Sequence, residues 1–78
     1  MAKDYIERKK VESSNLKAVG YDEEKEVLAI EFKNGSIYYY YEVPKTVYFN
    51  LIEADSVGAF LARRIKGIYD FKKIQSED

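Results

Sequence analysis

Residues 27–43 read Val-Leu-Ala-Ile-Glu-Phe-Lys-Asn-Gly-Ser-Ile-Tyr-Tyr-Tyr-Tyr-Glu-Val, and this stretch decides the fold. Its first six residues alternate, with Leu28, Ile30 and Phe32 on one side and Val27, Ala29 and Glu31 on the other, the pattern of a half-buried strand. Asn34-Gly35 is the strongest hairpin signal in the chain. The aromatic-rich run Ile37 to Val43 suits a pleated partner strand. Two registers are open. A two-residue turn at Asn34-Gly35 pairs Phe32 with Ile37, Ile30 with Tyr39 and Leu28 with Tyr41. A three-residue loop, Lys33-Asn34-Gly35, with Gly35 as a bulge pairs Phe32 with Ser36, Ile30 with Tyr38 and Leu28 with Tyr40. That one-residue difference exchanges the faces of the tyrosines. In both, one tyrosine pair packs under the rest of the protein and the other lies across the sheet.

Before the hairpin, Leu16 to Tyr21 is a short strand candidate, bounded by Ser13-Ser14-Asn15 and by the acidic turn at Asp22-Glu23-Glu24-Lys25. After it, Val43-Pro44 ends the strand, and Pro44 suits a first helical turn, where its missing N–H would be unpaired anyway. Val47, Leu51 and Ala54 then recur at helical spacing, widened by Tyr48 and Ile52. Asp55-Ser56 breaks that helix and offers a cap to the next. Val57, Phe60, Leu61 and Ile65 form a second apolar stripe, and Gly67 is a C-terminal stop. Residues 68–74 read either as a short fourth strand or as a closing helical turn, with the strand preferred. Strands first and helices second predict an α+β domain: a three-stranded antiparallel meander followed by two helices packed on one sheet face. Phe32, Leu51, Phe60 and Ile65 are its expected core.

Seventy-eight residues allow one domain. We place it at 11–75, between a polar, loosely attached leader (1–10) and a solvated tail (76–78). A hydrophobic content of 46% suits a folded chain and argues against disorder. Thirteen basic and 14 acidic residues exclude a strongly basic nucleic-acid module. The chain has neither Cys nor His, which removes thiol chemistry, the commonest general base and the commonest metal ligand. No apolar run approaches the ~18 residues of a membrane span, so a soluble cytoplasmic protein without membrane contact is expected. There is no Gly-rich phosphate loop, nucleophile elbow or paired-carboxylate signature, and Asp22 to Glu26 lacks calcium-loop spacing. Neither an enzyme nor a metal or cofactor site is expected.

The ordered series Ser13-Ser14-Asn15-Leu16, Gly20-Tyr21-Asp22, Leu28, Phe32, Gly35, Tyr38-Tyr39-Tyr40, Val43-Pro44 and Val47-Tyr48 continues through Leu51, Ala54, Ser56, Gly58, Phe60, Ile65, Lys66 and Tyr69. With these spacings the chain resembles the KTSC family, a small domain found alone and at the C-terminus of some lysyl-tRNA synthetases. The family-motif positions are Tyr38, Tyr40, Pro44, Ser56, Gly58 and Tyr69. Leu61-Ala62 departs from the family, where a polar residue, often Asn, is expected. The resemblance implies a binding module, with RNA suggested by the synthetase association. Its Tyr-x-Tyr element favours Tyr38 and Tyr40 as the buried pair, hence the bulged hairpin, with Tyr39 and Tyr41 facing out.

Charge is unevenly spread. Residues 63–73 carry five cations against Asp70, whereas residues 22–31 carry five carboxylates against Lys25. Arg63, Arg64, Lys66, Lys72 and Lys73 therefore form a candidate phosphate-binding patch, with Tyr39 and Tyr41 as stacking platforms for RNA or another single-stranded nucleic acid. The same features have plainer readings: cations at a helix C-terminus, and tyrosines that supply core area or lie under a dimer partner or a chain terminus. The rival function is a protein–protein or homo-oligomerisation domain, a homodimer in its simplest form, built on the outward tyrosine face.

Overall fold

The protein is described over residues 6–75 of a computed structural model; the expected solvated tail and the first five leader residues lie outside the described residues. Seven elements follow in chain order: β1 Lys9–Lys10, β2 Leu16–Asp22, β3 Val27–Phe32, β4 Ile37–Tyr40, α1 Lys45–Ile52, α2 Val57–Arg64 and β5 Phe71–Gln75. The strands form one antiparallel sheet in the order β1-β2-β3-β4-β5. The α+β class stands, but the expected three-stranded meander is corrected to five strands. The strand preferred for 68–74 is present over Phe71–Gln75, paired with β4, and a two-residue strand precedes the meander.

The bulged register is the one adopted. Leu28 pairs with Tyr40 and Ile30 with Tyr38, and the Phe32 N–H donates to the Ser36 carbonyl at 2.8 Å. Gly35 makes this possible by occupying the left-handed region, φ 98°. The strand also stops at Tyr40 rather than Val43. The Tyr41 N–H turns to the Asp70 carbonyl (2.9 Å), and Glu42 bends the chain with φ 59°. Pro44 then opens α1 as its N-cap residue, and the Ser56 hydroxyl caps α2 by accepting from the Ala59 N–H at 3.2 Å.

Both helices contribute to the main core. Leu16, Val19, Leu28, Ile30, Tyr40 and Val43 pack there with Leu51, Val57, Leu61 and Ile65. Leu51 and Ile65 are fully buried as expected, but Phe32 and Phe60 are only partly buried at its margin. Leu61, where the family pattern expects a polar residue, is one of the core side chains.

The opposite face holds the larger surprise. Ile6 is buried there with Val27, Ala29, Ile37 and Tyr39. Its N–H donates to the Tyr39 hydroxyl (3.1 Å), and the Arg8 guanidinium pairs with the Glu31 carboxylate (3.0 Å). Lys9 and Lys10 pair with Val19 and Ala18. Gly20 permits the crossing, since a Cβ on it would stand 2.1 Å from the Glu7 carbonyl oxygen. The expected loosely attached leader is therefore corrected for residues 6–10: a two-strand pairing, an ion pair and a buried isoleucine hold them. Tyr39 does lie across the sheet from the helices, yet it is only 7% exposed. Tyr41 beside it is half-buried, so the bare apolar face on which a homodimer was expected is largely covered by the chain itself.

Candidate functional site

An open aromatic cleft lies on the helix side of the sheet, at its hairpin end. It has a volume of about 400 Å3 and is lined by Phe32 of β3, Tyr38 and Tyr40 of β4, Phe71 of β5, Asn34 and Ser36 of the hairpin, and the turn Lys66-Gly67 beyond α2. Strand alternation explains the assembly. The register sets Tyr38 against Ile30 and Tyr40 against Phe71, so all four rings project to one face. Phe32 meets Tyr38 edge-on with centroids 5.6 Å apart, and Phe71 lies 5.6 Å from both tyrosine rings. Tyr40 forms the floor, while Phe71 is 57% exposed and offers its ring to solvent. Burial, reinforced by the neighbouring Tyr38, pushes the Tyr40 phenol above its ordinary pKa, so it is neutral at physiological pH.

Two lysines overlie the rings. Lys66 Nζ stands 5.6 Å from the Phe32 centroid, and Lys73 Nζ stands 5.7 Å from that of Tyr38. Contacts of this kind at exposed sites are worth about 0.5–1 kcal/mol. Gly67, at φ 80°, makes the turn that follows Lys66.

The structure thus splits the basic and aromatic residues expected to act together. Lys66 lines the cleft; Lys73 lines the trough on the opposite face, but its ammonium stands over the Tyr38 ring. Arg63 and Arg64 are exposed on the last turn of α2 and line no part of it. Lys72 pairs with Tyr39 and, with Tyr41, lines a trough on the opposite face, so the expected grouping of Tyr39 and Tyr41 with Lys66 is corrected. Within the cleft the rings that meet cations are Phe32 and Tyr38, with Phe71 and Tyr40 beside them. Sequence reading placed Phe32 in the core and gave Phe71 no role; Phe71 and Ile74 fall on opposite faces of a strand, so 71–75 carries no alternating apolar pattern, and Phe71 reaches the cleft only through its pairing with Tyr40.

The remaining motif positions are structural. Tyr69 packs against the core margin, and Gly58 faces the Ser13 hydroxyl. That hydroxyl accepts from the Asn15 and Leu16 N–H groups, both at 3.2 Å, which makes Ser13-Ser14-Asn15 a strand entry. The Asp22 carboxylate likewise accepts from the Glu24 and Lys25 N–H groups. Among the described residues no group of three or more acidic side chains is placed to share a metal ion, and no helix is long and apolar enough to cross a membrane.

Comparison with known proteins points in one direction. A family described as the KTSC domain matches residues 12–69. A protein of Tsukamurella paurometabola is 45% identical over 56 residues, covering 72% of this chain and 84% of that one. The crystal structure of a KTSC domain protein from Yersinia pestis superposes with a TM-score of 0.85 at 35% identity, covering 91% of this chain and all of that one. A lysine–tRNA ligase of Nostoc punctiforme is 37% identical over 65 residues, which is 83% of this chain but 12% of the ligase.

Proposed function

This chain belongs to the KTSC domain family, and from that premise we propose that it is a small non-catalytic module that binds single-stranded RNA in the aromatic cleft. One observation carries the reading: four rings converge on a single opening beneath two lysines. Bases stack on aromatic faces for about 1–3 kcal/mol each without hydrogen-bond readout, so Phe71 and Phe32 are the stacking surfaces. Lys66 and Lys73 stand where phosphates flanking a stacked base would pass, and Arg63 and Arg64 extend the positive path along the end of α2. That related sequence occurs within a lysine–tRNA ligase is in keeping with an RNA ligand.

The test is a titration of a fluorescent single-stranded RNA at two salt concentrations. Phe71→Ala should weaken binding by about 1–3 kcal/mol with the salt slope unchanged, because stacking releases no counterions. Replacing Arg63 and Arg64 with Glu should instead weaken every RNA about equally and flatten the slope by about 0.7 per lost phosphate contact. A parent protein that binds no RNA at low salt, where electrostatic attraction is strongest, would end the RNA reading.

A further inference from the structure

If the cleft stacks bases, as proposed above, two of its rings, Phe32 and Tyr38, must first be uncovered. Lys66 comes from the turn after α2 and Lys73 from the edge strand β5, yet each brings its ammonium over a cleft ring, 5.6 Å from Phe32 and 5.7 Å from Tyr38. Both side chains belong to exposed residues, so each ammonium is largely hydrated and its hold on the ring is weak.

We propose that Lys66 and Lys73 are specificity-determining covers, which make the cleft select an aromatic base joined to a phosphate over the same base without one. An uncharged aromatic molecule that stacks on Phe32 or Tyr38 displaces an ammonium and offers it nothing in return. A nucleotide displaces the same ammonium but presents a phosphate beside the ring, so the lost ring contact is replaced by a charge-assisted one. The flexible four-carbon stem of lysine suits this exchange, because the ammonium can swing from ring to phosphate while its backbone stays in place. The pair thus discriminates by penalising the wrong ligand as well as by attracting the right one.

The experiment compares two probes, adenosine and a single-stranded oligoadenylate, on the parent and on a Lys66→Gln, Lys73→Gln double variant. Both lysines are exposed, so the variant should keep its fold, which thermal melting verifies. The oligoadenylate should bind the variant more weakly, whereas adenosine should bind it more tightly, by roughly two- to fivefold for each ring uncovered. Opposite signs for the two probes support the covers; adenosine binding that weakens or stays unchanged overturns them. Proton NMR of the free protein decides the same point without any ligand. The side-chain methylene protons next to Nζ of Lys66 and Lys73 should be shifted upfield by the ring currents, and ordinary positions would overturn the proposal even if RNA binds. Conversely, shifted protons and tighter adenosine binding to the variant, in a protein that prefers adenosine monophosphate to adenosine but binds no oligoadenylate, would keep the covers and discard the RNA reading; no preference for the monophosphate would overturn both.

Discussion

The two faces of the sheet are built from the same short strands and covered in different ways. On the helix face, two helices press large aliphatic side chains onto Leu28 and Ile30, and Phe32, Tyr38 and Phe71 are left beside the hairpin, where they remain partly open. On the other face the residues beneath the cover include Ala18, Ala29 and the bare backbone of Gly20, and a single segment, residues 6–10, suffices to cover Ile37 and Tyr39. A tyrosine's surroundings therefore follow from what lies over it: Tyr38 lines an open aromatic cleft, and Tyr39, one residue on, becomes core. Alternation separates the two; the cover assigns their work.

The sharpest way to test this contrast is to weaken each cover in turn. Leu51→Ala on α1 should cost about 2–5 kcal/mol, a large part of what so small a domain has, because Leu51 is fully buried among core residues. Phe60→Ala should cost less, since that ring is only partly buried, and chemical denaturation ranks the two. A Phe60→Ala protein less stable than Leu51→Ala would break the assignment of the main core.

On the opposite face, Gly20→Ala should cost about 1–3 kcal/mol, since its methyl collides with the backbone at Glu7, which cannot yield as a flexible side chain would. The segment should lift, and hydrogen exchange should quicken at the Ile6 and Val11 amides, whose partners are the Tyr39 hydroxyl and the Lys17 carbonyl. An unchanged melting temperature with unchanged exchange would show that the crossing does not depend on glycine.

A smaller difference should separate the neighbouring tyrosines. Tyr39→Phe leaves the buried Ile6 N–H without its acceptor and should cost about 1 kcal/mol. Tyr38→Phe, whose ring lies in the open cleft, should leave stability nearly unchanged. Equal losses would erase the contrast between the two faces.

The smallest effect is expected in alkali. Burial raises the Tyr40 phenol, and burial followed by Glu26, Glu23 and Asp22 raises that of Tyr21. A folded pKa above the unfolded one gives stability that is complete below about pH 10 and is lost as pH climbs through the folded value. Melting temperature should therefore be insensitive to these groups near neutrality and decline above about pH 10. Tyr40→Phe should make that decline shallower.

Much of this was open to reading along the chain. The α+β class, the hairpin at Asn34-Gly35, the Ser56 cap, the helical stripes and the assignment of adjacent tyrosines to opposite faces all depend on interactions within a few residues or on strict periodicity. The hairpin register sat at the limit. Both loops satisfied local rules, and the family resemblance, not the residues alone, favoured the bulge that Gly35 adopts.

What only the tertiary structure decided involves partners far apart in sequence. Lys9 and Lys10 carry no alternating apolar pattern, so nothing local marks them as a strand; they become one because Ala18 and Val19 present a sheet edge and Gly20 lets the chain pass close. Residues 71–75 are a strand because β4 needed a neighbour. Ile6 closes over Tyr39 from 33 residues away, which turned an expected binding surface into core. Local chemistry determined that neighbouring strand residues point to opposite faces, but burial depends on which remote segment arrives to cover each face, and periodicity within one strand does not record that.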